Sequence, residues 1–282
     1  MMRIGLTPEE VGGNLFPSPH SPIAAFVPTT GVVHTEAIVL RTIDYGETSR
    51  IVTLFCDELG KTGVMAKGAR AAKSRFGSTL QPMNRISTVI HVRPGRELQI
   101  LSEASHVDHH RSLKADLARM ELGIRLIELV NALLPDGEPN RPAFSLLAAC
   151  LTALDQAPGR AGNVWPFFQM RLATLLGFGP SFEREQVGSL EAEYGFLDLH
   201  SGRISEHVQE GGTPVRARRT TLRSFAILSR ADLSNVLRME LNAAEAADVA
   251  QLVRAYVQHH VEESYPTRSA RVFAQFREGG AG

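Results

Sequence analysis

Three groups of residues in this 282-residue chain have types and spacing suited to chemistry. The first is Gly60-Lys61-Thr62, which matches the end of a phosphate-binding P-loop. In such a loop backbone amides cradle the phosphates and the lysine reaches the outer ones. The motif needs a glycine five positions before Gly60, and Phe55 stands there. The triplet also lies between two strand-like runs rather than before a helix. Nucleotide hydrolysis is therefore not expected, because the loop that supplies the backbone donors is missing. The second group, His106-Val107-Asp108-His109-His110, is dense in side chains that ligate metals. A hydrolase site would add a further His-x-His pair and distant carboxylates, so the cluster reads as a solvated linker. Cys56 and Cys150, the only two cysteines, cannot build a disulfide framework or a four-thiolate zinc site within one chain. Both sit in apolar runs and read as small buried residues. No Gly-x-Ser-x-Gly elbow and no spaced acid–base pair occurs. The expectation is a protein without catalytic residues, metal or other cofactor.

The third group is a charge anomaly. Net charge is zero, with 30 Lys and Arg against 30 Asp and Glu. Between residues 61 and 96, however, Lys61, Lys67, Arg70, Lys73, Arg75, Arg85, Arg93 and Arg96 occur without one acidic residue. Three of the four lysines of the chain fall in this stretch. Such a strip can present a strongly positive face on a neutral protein. Cations that neutralise phosphates release counterions and so bind DNA without reading its sequence. The candidate DNA contacts are Arg41, Lys61, Lys67, Arg70, Lys73, Arg75, Arg85 and Arg96, with the loop cations Arg70, Lys73 and Arg75 foremost. Small residues beside them, as in Gly68-Ala69-Arg70-Ala71-Ala72, let backbone amides approach phosphates. Phe76 either stacks on an unpaired base or anchors the loop to the body. A secondary basic patch, Arg216, Arg218, Arg219 and Arg223, extends the DNA track, meets an acidic partner peptide, or starts an ordinary solvated helix.

These residues need elements to hold them. Pro17, Pro19, Pro22, Pro28 and several glycines punctuate residues 1–33, which reads as a flexible extension. From residue 34 to about 108 five short strand-like runs follow: Ala37–Leu40, Arg50–Cys56, Thr62–Lys67, Ile86–Val92 and Glu97–Leu101. A long connection, Gly68 to Pro82, separates the third from the fourth. Five such strands predict a small barrel of the oligonucleotide-binding (OB) kind, although strand count alone fits an SH3-like barrel almost as well. From residue 109 to 276 the apolar period becomes helical. Helices are expected from Arg111 to Leu133, Phe144 to Leu154, Val164 to Leu176, Leu222 to Leu237 and Ala243 to Glu263. Residues 181–215 read as irregular, with a hairpin-like Phe196–Ile204. The fold class is α+β, strands first and helices after. No apolar run reaches the roughly 18 residues that span a bilayer, and no signal-peptide core is evident. The expected location is cytoplasmic and nucleoid-associated, with no membrane contact.

Three ordered strings resemble the bacterial RecO family of recombination mediators. They are Thr35–Arg41 with Asp44–Val52; Ala66–Arg70 with Lys73-Ser74-Arg75 and Leu80-Gln81-Pro82; and Phe168–Leu172 through Leu175–Pro180. They cover about residues 34 to 265. The resemblance implies an OB barrel followed by a helical domain, binding of single- and double-stranded DNA, and annealing of complementary strands. It also implies work with RecR and with the C-terminal tail of single-strand-binding protein, indirectly loading RecA onto coated DNA, and no catalytic residues. Many members of that family carry a four-cysteine zinc module after the Gly-Pro motif. Here Glu185 and Gly188 occupy the places of the first cysteine pair, and no cysteine follows Pro214. The chain resembles a zinc-free branch, with residues 181–215 as a zinc-finger remnant. Two other readings compete: an RNA-binding barrel protein, and a metal-dependent nuclease built on His106, Asp108, His109 and His110.

Overall fold

The computed structural model describes residues 30–156, 159–182, 187–188 and 190–266. The expectation of a flexible extension therefore falls, for residues 1–29, outside the described residues, as does Glu185. Residues 31–33 belong to the first strand. Strand β1 (Gly31–Tyr45) is fifteen residues long and serves two partners. Its first half pairs antiparallel with β4 (Arg85–Val92), from Gly31 opposite Val92 to Ile38 opposite Arg85. Its second half pairs with β2 (Ser49–Cys56), from Ala37 opposite Cys56 to Tyr45 opposite Ser49. Strand β3 (Gly60–Ala66) continues from β2, and β5 (Gln99–Asp108) closes the barrel between β3 and β4. The β3–β5 pairing is parallel, Val64 opposite Gln99 and Met65 opposite Ile100. The order β1-β2-β3-β5-β4 makes a closed five-stranded barrel. This is the OB fold, the alternative that strand count alone did not separate from an SH3-like barrel.

Alternation along the strands sorts residues to two cores. Ala37, Val39, Val52, Leu54, Val64, Ile86, Ile90 and Leu101 fill the barrel. Ile38, Leu40 and Phe55 point outward and join the core of the helical domain. A bulge between Val39 and Arg41 interrupts the β1–β2 register. It shifts the alternation by one, so Arg41, Ile43 and Tyr45 emerge on the outer face that Ile38 began. Ile43 and Tyr45 are no longer covered by helices; they are 42% and 52% exposed.

The β3–β4 connection is no open insertion. Phe76, 1% exposed, and Leu80 plug the barrel core. Asn84 Nδ2 donates to the carbonyls of Ser78 and Thr79, each at 2.9 Å, and Thr42 Oγ1 donates to Leu80 at 2.6 Å.

The helical domain comprises α1 (Arg111–Ala115), α2 (Leu117–Leu133), α3 (Arg141–Gln156), α4 (Val164–Leu175), α5 (Arg219–Arg230), α6 (Leu233–Val236) and α7 (Ala243–Val261). The single helix expected from Arg111 to Leu133 is broken at Asp116. Its carboxylate caps α2 by accepting from the backbone N–H groups of Ala118 and Arg119, at 2.9 and 3.1 Å. The helix expected from Leu222 to Leu237 likewise divides, because Ala231 and Asp232 are extended. Within residues 181–215 the chain is more regular than expected. Strands β6 (Tyr194–Asp198), β7 (Ile204–Ser205) and β8 (Pro214–Arg218) form a small sheet in the order β7-β6-β8. Among the described residues no helix is long and apolar enough to cross a membrane.

Barrel and helices share a tight seam. Phe55 meets Phe144 edge-on at 5.8 Å. Gly60, at φ +65°, lies so close to Glu138 that an added Cβ would stand 2.1 Å from its carbonyl oxygen. Only glycine fits there, which explains the first residue of the false P-loop triplet.

Candidate nucleic-acid interface

The structure divides the eight candidate cations into two sets. Lys61 is the clearest case of the first. It is on the outer face of β3, next to Phe55, where the helices cover the barrel. Its side chain is 12% exposed, and its Nζ donates to the Asn131 carbonyl at 2.7 Å and meets Asp136 at 3.2 Å. This charge is consumed in the seam and does not face solvent. Arg85 is also engaged: Nε and Nη2 reach Glu36 Oε2 at 2.7 and 2.6 Å. The charge count that selected both residues could not show what they face.

The second set is exposed, and its members on the β3–β4 connection gather at the barrel end that carries the β1–β2 turn. Arg70 ties the start of the β3–β4 connection to the β1–β2 turn. Its Nε lies 3.3 Å from Asp44 Oδ2, its Nη1 donates to the Gly46 carbonyl at 2.9 Å, and its N–H donates to Thr48 at 2.9 Å. Lys67, Lys73 and Arg75 project from the same connection, exposed and without a carboxylate partner among the described residues. Arg75 lies over the Phe76 ring at 5.1 Å, so Phe76 is the anchor of the two alternatives and not an exposed stacking platform. The β4–β5 turn carries Arg93 and Arg96. Gln99 fixes it, accepting from Arg93 N at 2.7 Å and donating to the Arg96 carbonyl at 2.8 Å. Gln99 pairs in parallel with Val64, and Leu98 and Glu97 lie beside Gly63, so this turn emerges beside the first half of β3, toward the barrel end away from Lys67.

Between these loops lies a strip that charge counting missed. Tyr45 and Ile43 on β1 adjoin Ile51 on β2, and Ile51 lies opposite Met65 on β3. All four point outward. Arg41 borders the strip on one side and Lys67 on the other. An exposed aromatic among apolar side chains, flanked by exposed cations, can stack bases while the cations hold phosphates. OB folds bind oligonucleotides on the face of strands 2 and 3 and on the β1–β2 and β4–β5 loops, and Ile51, Met65 and the Arg93–Arg96 turn belong to those parts. Asp44-Tyr45-Gly46 read in the sequence as a turn. The available signal was the period-two spacing Arg41-Ile43-Tyr45.

The secondary patch is only partly assembled. Arg216 and Arg218 share the exposed side of β8, with Arg216 4.2 Å above the Tyr194 ring. Arg219 turns away and donates to the Glu191 carbonyl at 2.6 Å. Arg223 is exposed on α5.

The histidine cluster is neither a linker nor a ligand set. His106 and Asp108 are on β5, opposite Ile86 and Arg85. The His106 and His109 rings stack at 3.6 Å, while Asp108 Oδ1 turns to His110, accepting from its N–H at 3.0 Å. Among the described residues no three His, Cys, Asp or Glu side chains converge to hold a metal ion. Burial drives both cysteine thiols far above their ordinary pKa, so neither is a ready nucleophile.

Comparison with known proteins agrees with this division. Residues 31–110, the barrel and its junction, match the family model for the N-terminal part of recombination protein O, and residues 114–269 match that for its C-terminal part. The chain is 43% identical over 244 residues to the DNA repair protein RecO of Salinibacter ruber, covering 86% of this chain and 94% of that protein. It is 32% identical over 230 residues to the protein of that name from Pelotomaculum thermopropionicum, covering 80% and 88%. For the Chlorobium limicola protein the identity is 29% over 256 residues, covering 86% and 98%. With both halves of the fold matched in order, the chain belongs to the RecO family of DNA repair proteins.

Proposed function

We propose that this protein is a non-enzymatic recombination mediator. It holds DNA by Arg41, Lys67, Arg70, Lys73, Arg75, Arg93 and Arg96 around the Tyr45–Ile43 strip, anneals complementary single strands, and helps load RecA onto strands coated by single-strand-binding protein. The observation that carries this reading is the set of exposed cations that flanks an exposed aromatic strip on an OB barrel. Such a surface grips phosphates without sequence preference and leaves bases free to pair. Lys61 is left out of the contact set because it is buried in the seam, and Arg85 because two of its nitrogens hold Glu36; Arg70, although paired with Asp44, is kept because it holds the basic connection beside the strip. No step in this mechanism makes or breaks a covalent bond, and it needs no metal or cofactor. A protein with this function would work in the cytoplasm, at the nucleoid.

The partners are RecR and the acidic tail of single-strand-binding protein. A groove of about 700 Å³ between α3 and α6 supports a peptide surface on the helical side. Phe144, Ala148, Leu233 and Leu237 make it apolar, and Arg85 stands at its rim. The test is annealing of complementary oligonucleotides precoated with single-strand-binding protein. Pairing faster than the uncatalysed rate, declining with salt, is expected; an unchanged rate contradicts the reading. RNA oligonucleotides in competition settle the alternative, since an RNA reader uses the 2′-hydroxyl and would prefer RNA.

A further inference from the structure

A second recess lies where β5 meets α1. It holds about 320 Å³, and its charged or titratable lining is His106, His109, Arg111 and Lys114. Gln81 and Asn84 add neutral amides, and no carboxylate lines it. His106 lies seven residues along β5 from Gln99, so the recess is roughly 20 Å from the β4–β5 turn. It is a separate feature from the Arg93–Arg96 turn, and Ser78 and Gln81 at the end of the β3–β4 connection form part of its wall.

The recess is built for a negative charge that the chain itself does not supply. His106 Nδ1 is buried and has no hydrogen-bond partner. Burial first, then the positive neighbours His109, Lys114 and Arg111, hold the His106 imidazole below its ordinary pKa. Its stacking on His109 brings two proton-accepting rings to 3.6 Å. Lys114 is oriented by donating to Asn84 Oδ1, while the Asn84 amide nitrogen is committed to Ser78 and Thr79. An ammonium has three donors, so Lys114 has others to offer. Asp108 and Asp155 act on Lys114 from outside the lining and favour its charge against burial. Asp108 is turned to His110 and does not neutralise the recess.

We propose that this recess is an anion site that takes one phosphate group. Resting on the reading that the chain binds DNA, we assign the phosphate to the backbone of a bound strand that continues past the barrel. The imidazoles, Lys114 and Arg111 donate to its oxygens, and the anion relieves the repulsion among them. Inorganic phosphate shares this chemistry and is the control.

The test uses the full chain and the imidazole resonances of His106 and His109 by NMR. They are followed during titration with a thymidine oligonucleotide and, separately, with inorganic phosphate. Shifts on oligonucleotide binding are expected, with the apparent pKa of His106 raised. Changing His109→Gln with Lys114→Gln should weaken oligonucleotide binding several-fold. Resonances unmoved while anisotropy reports bound oligonucleotide overturn the recess and leave the DNA reading intact. Shifts with inorganic phosphate alone overturn the assignment to DNA. No binding of oligonucleotide by the unaltered chain overturns the proposed function itself.

Discussion

Arg70 and Asp44 lie 3.3 Å apart, joining the basic connection after β3 to the turn between β1 and β2. The pair is solvent-exposed, so its worth to stability is small, about 0–1 kcal/mol. Its consequence is positional: it presents Lys67, Lys73 and Arg75 beside the Tyr45 strip. Arg70→Ala should lower single-strand affinity about tenfold while shifting the urea midpoint little. Equal affinity by fluorescence anisotropy would show that the connection needs no such tether.

Lys61→Met should behave in the opposite way. Removing the ammonium that bonds to Asn131 and Asp136 leaves a partly buried carbonyl unmatched, at a cost of about 1–3 kcal/mol. DNA affinity and its salt dependence should stay as they were. A loss of salt dependence would return Lys61 to the phosphate track.

Tyr45→Ala should weaken single-strand binding by about 1–3 kcal/mol, the range for one base stacked on an aromatic ring. Duplex binding, which offers no unstacked base, should hardly change. A salt titration checks the distinction, since loss of stacking leaves the slope unaltered. Equal losses on both substrates would assign Tyr45 to backbone contact instead.

Phe76→Ala should destabilise the barrel by about 3–5 kcal/mol, the cost of emptying a large core side chain. Chemical denaturation gives the value. A stable variant with impaired DNA binding would restore the stacking role.

Acid should destabilise the fold earlier than carboxylates alone would. His106, His110 and His260 are held below their ordinary pKa, in each case chiefly by burial. As pH falls below about 6.5 the unfolded chain takes up protons that the folded chain refuses. Stability present above that pH is therefore lost as pH falls through the window toward 5. Urea midpoints at pH 7.5 and 5.5 should differ in that direction; a flat profile would mean that the buried rings protonate freely.

The barrel was legible because its strands alternate, and the helical half because its apolar period changes after residue 110. Register was not. The bulge at Leu40 leaves no compositional mark, yet it puts Arg41, Ile43 and Tyr45 on the outer face. The end of β5 was hidden because His106, Val107 and Asp108 look like linker residues, although backbone pairing with Arg85 and Ile86 makes them strand. Lys61 and Arg85 show the limit of counting charge. A cation on an open loop and one held in an ion pair look alike in a sequence, and only the neighbouring Asp136 and Glu36 show that Lys61 and Arg85 are engaged.

The central claim, that the exposed cations of the β3–β4 connection form the phosphate track, is tested most directly by anisotropy of a thymidine oligonucleotide over a salt series. The comparison is between the unaltered chain and a folded Lys67→Glu, Lys73→Glu, Arg75→Glu variant. With each single-strand phosphate contact contributing about −0.7 to the slope of log affinity against log salt, the variant should lose about two units of slope and nearly all affinity at physiological salt. An unchanged slope and affinity in the folded variant would contradict the account.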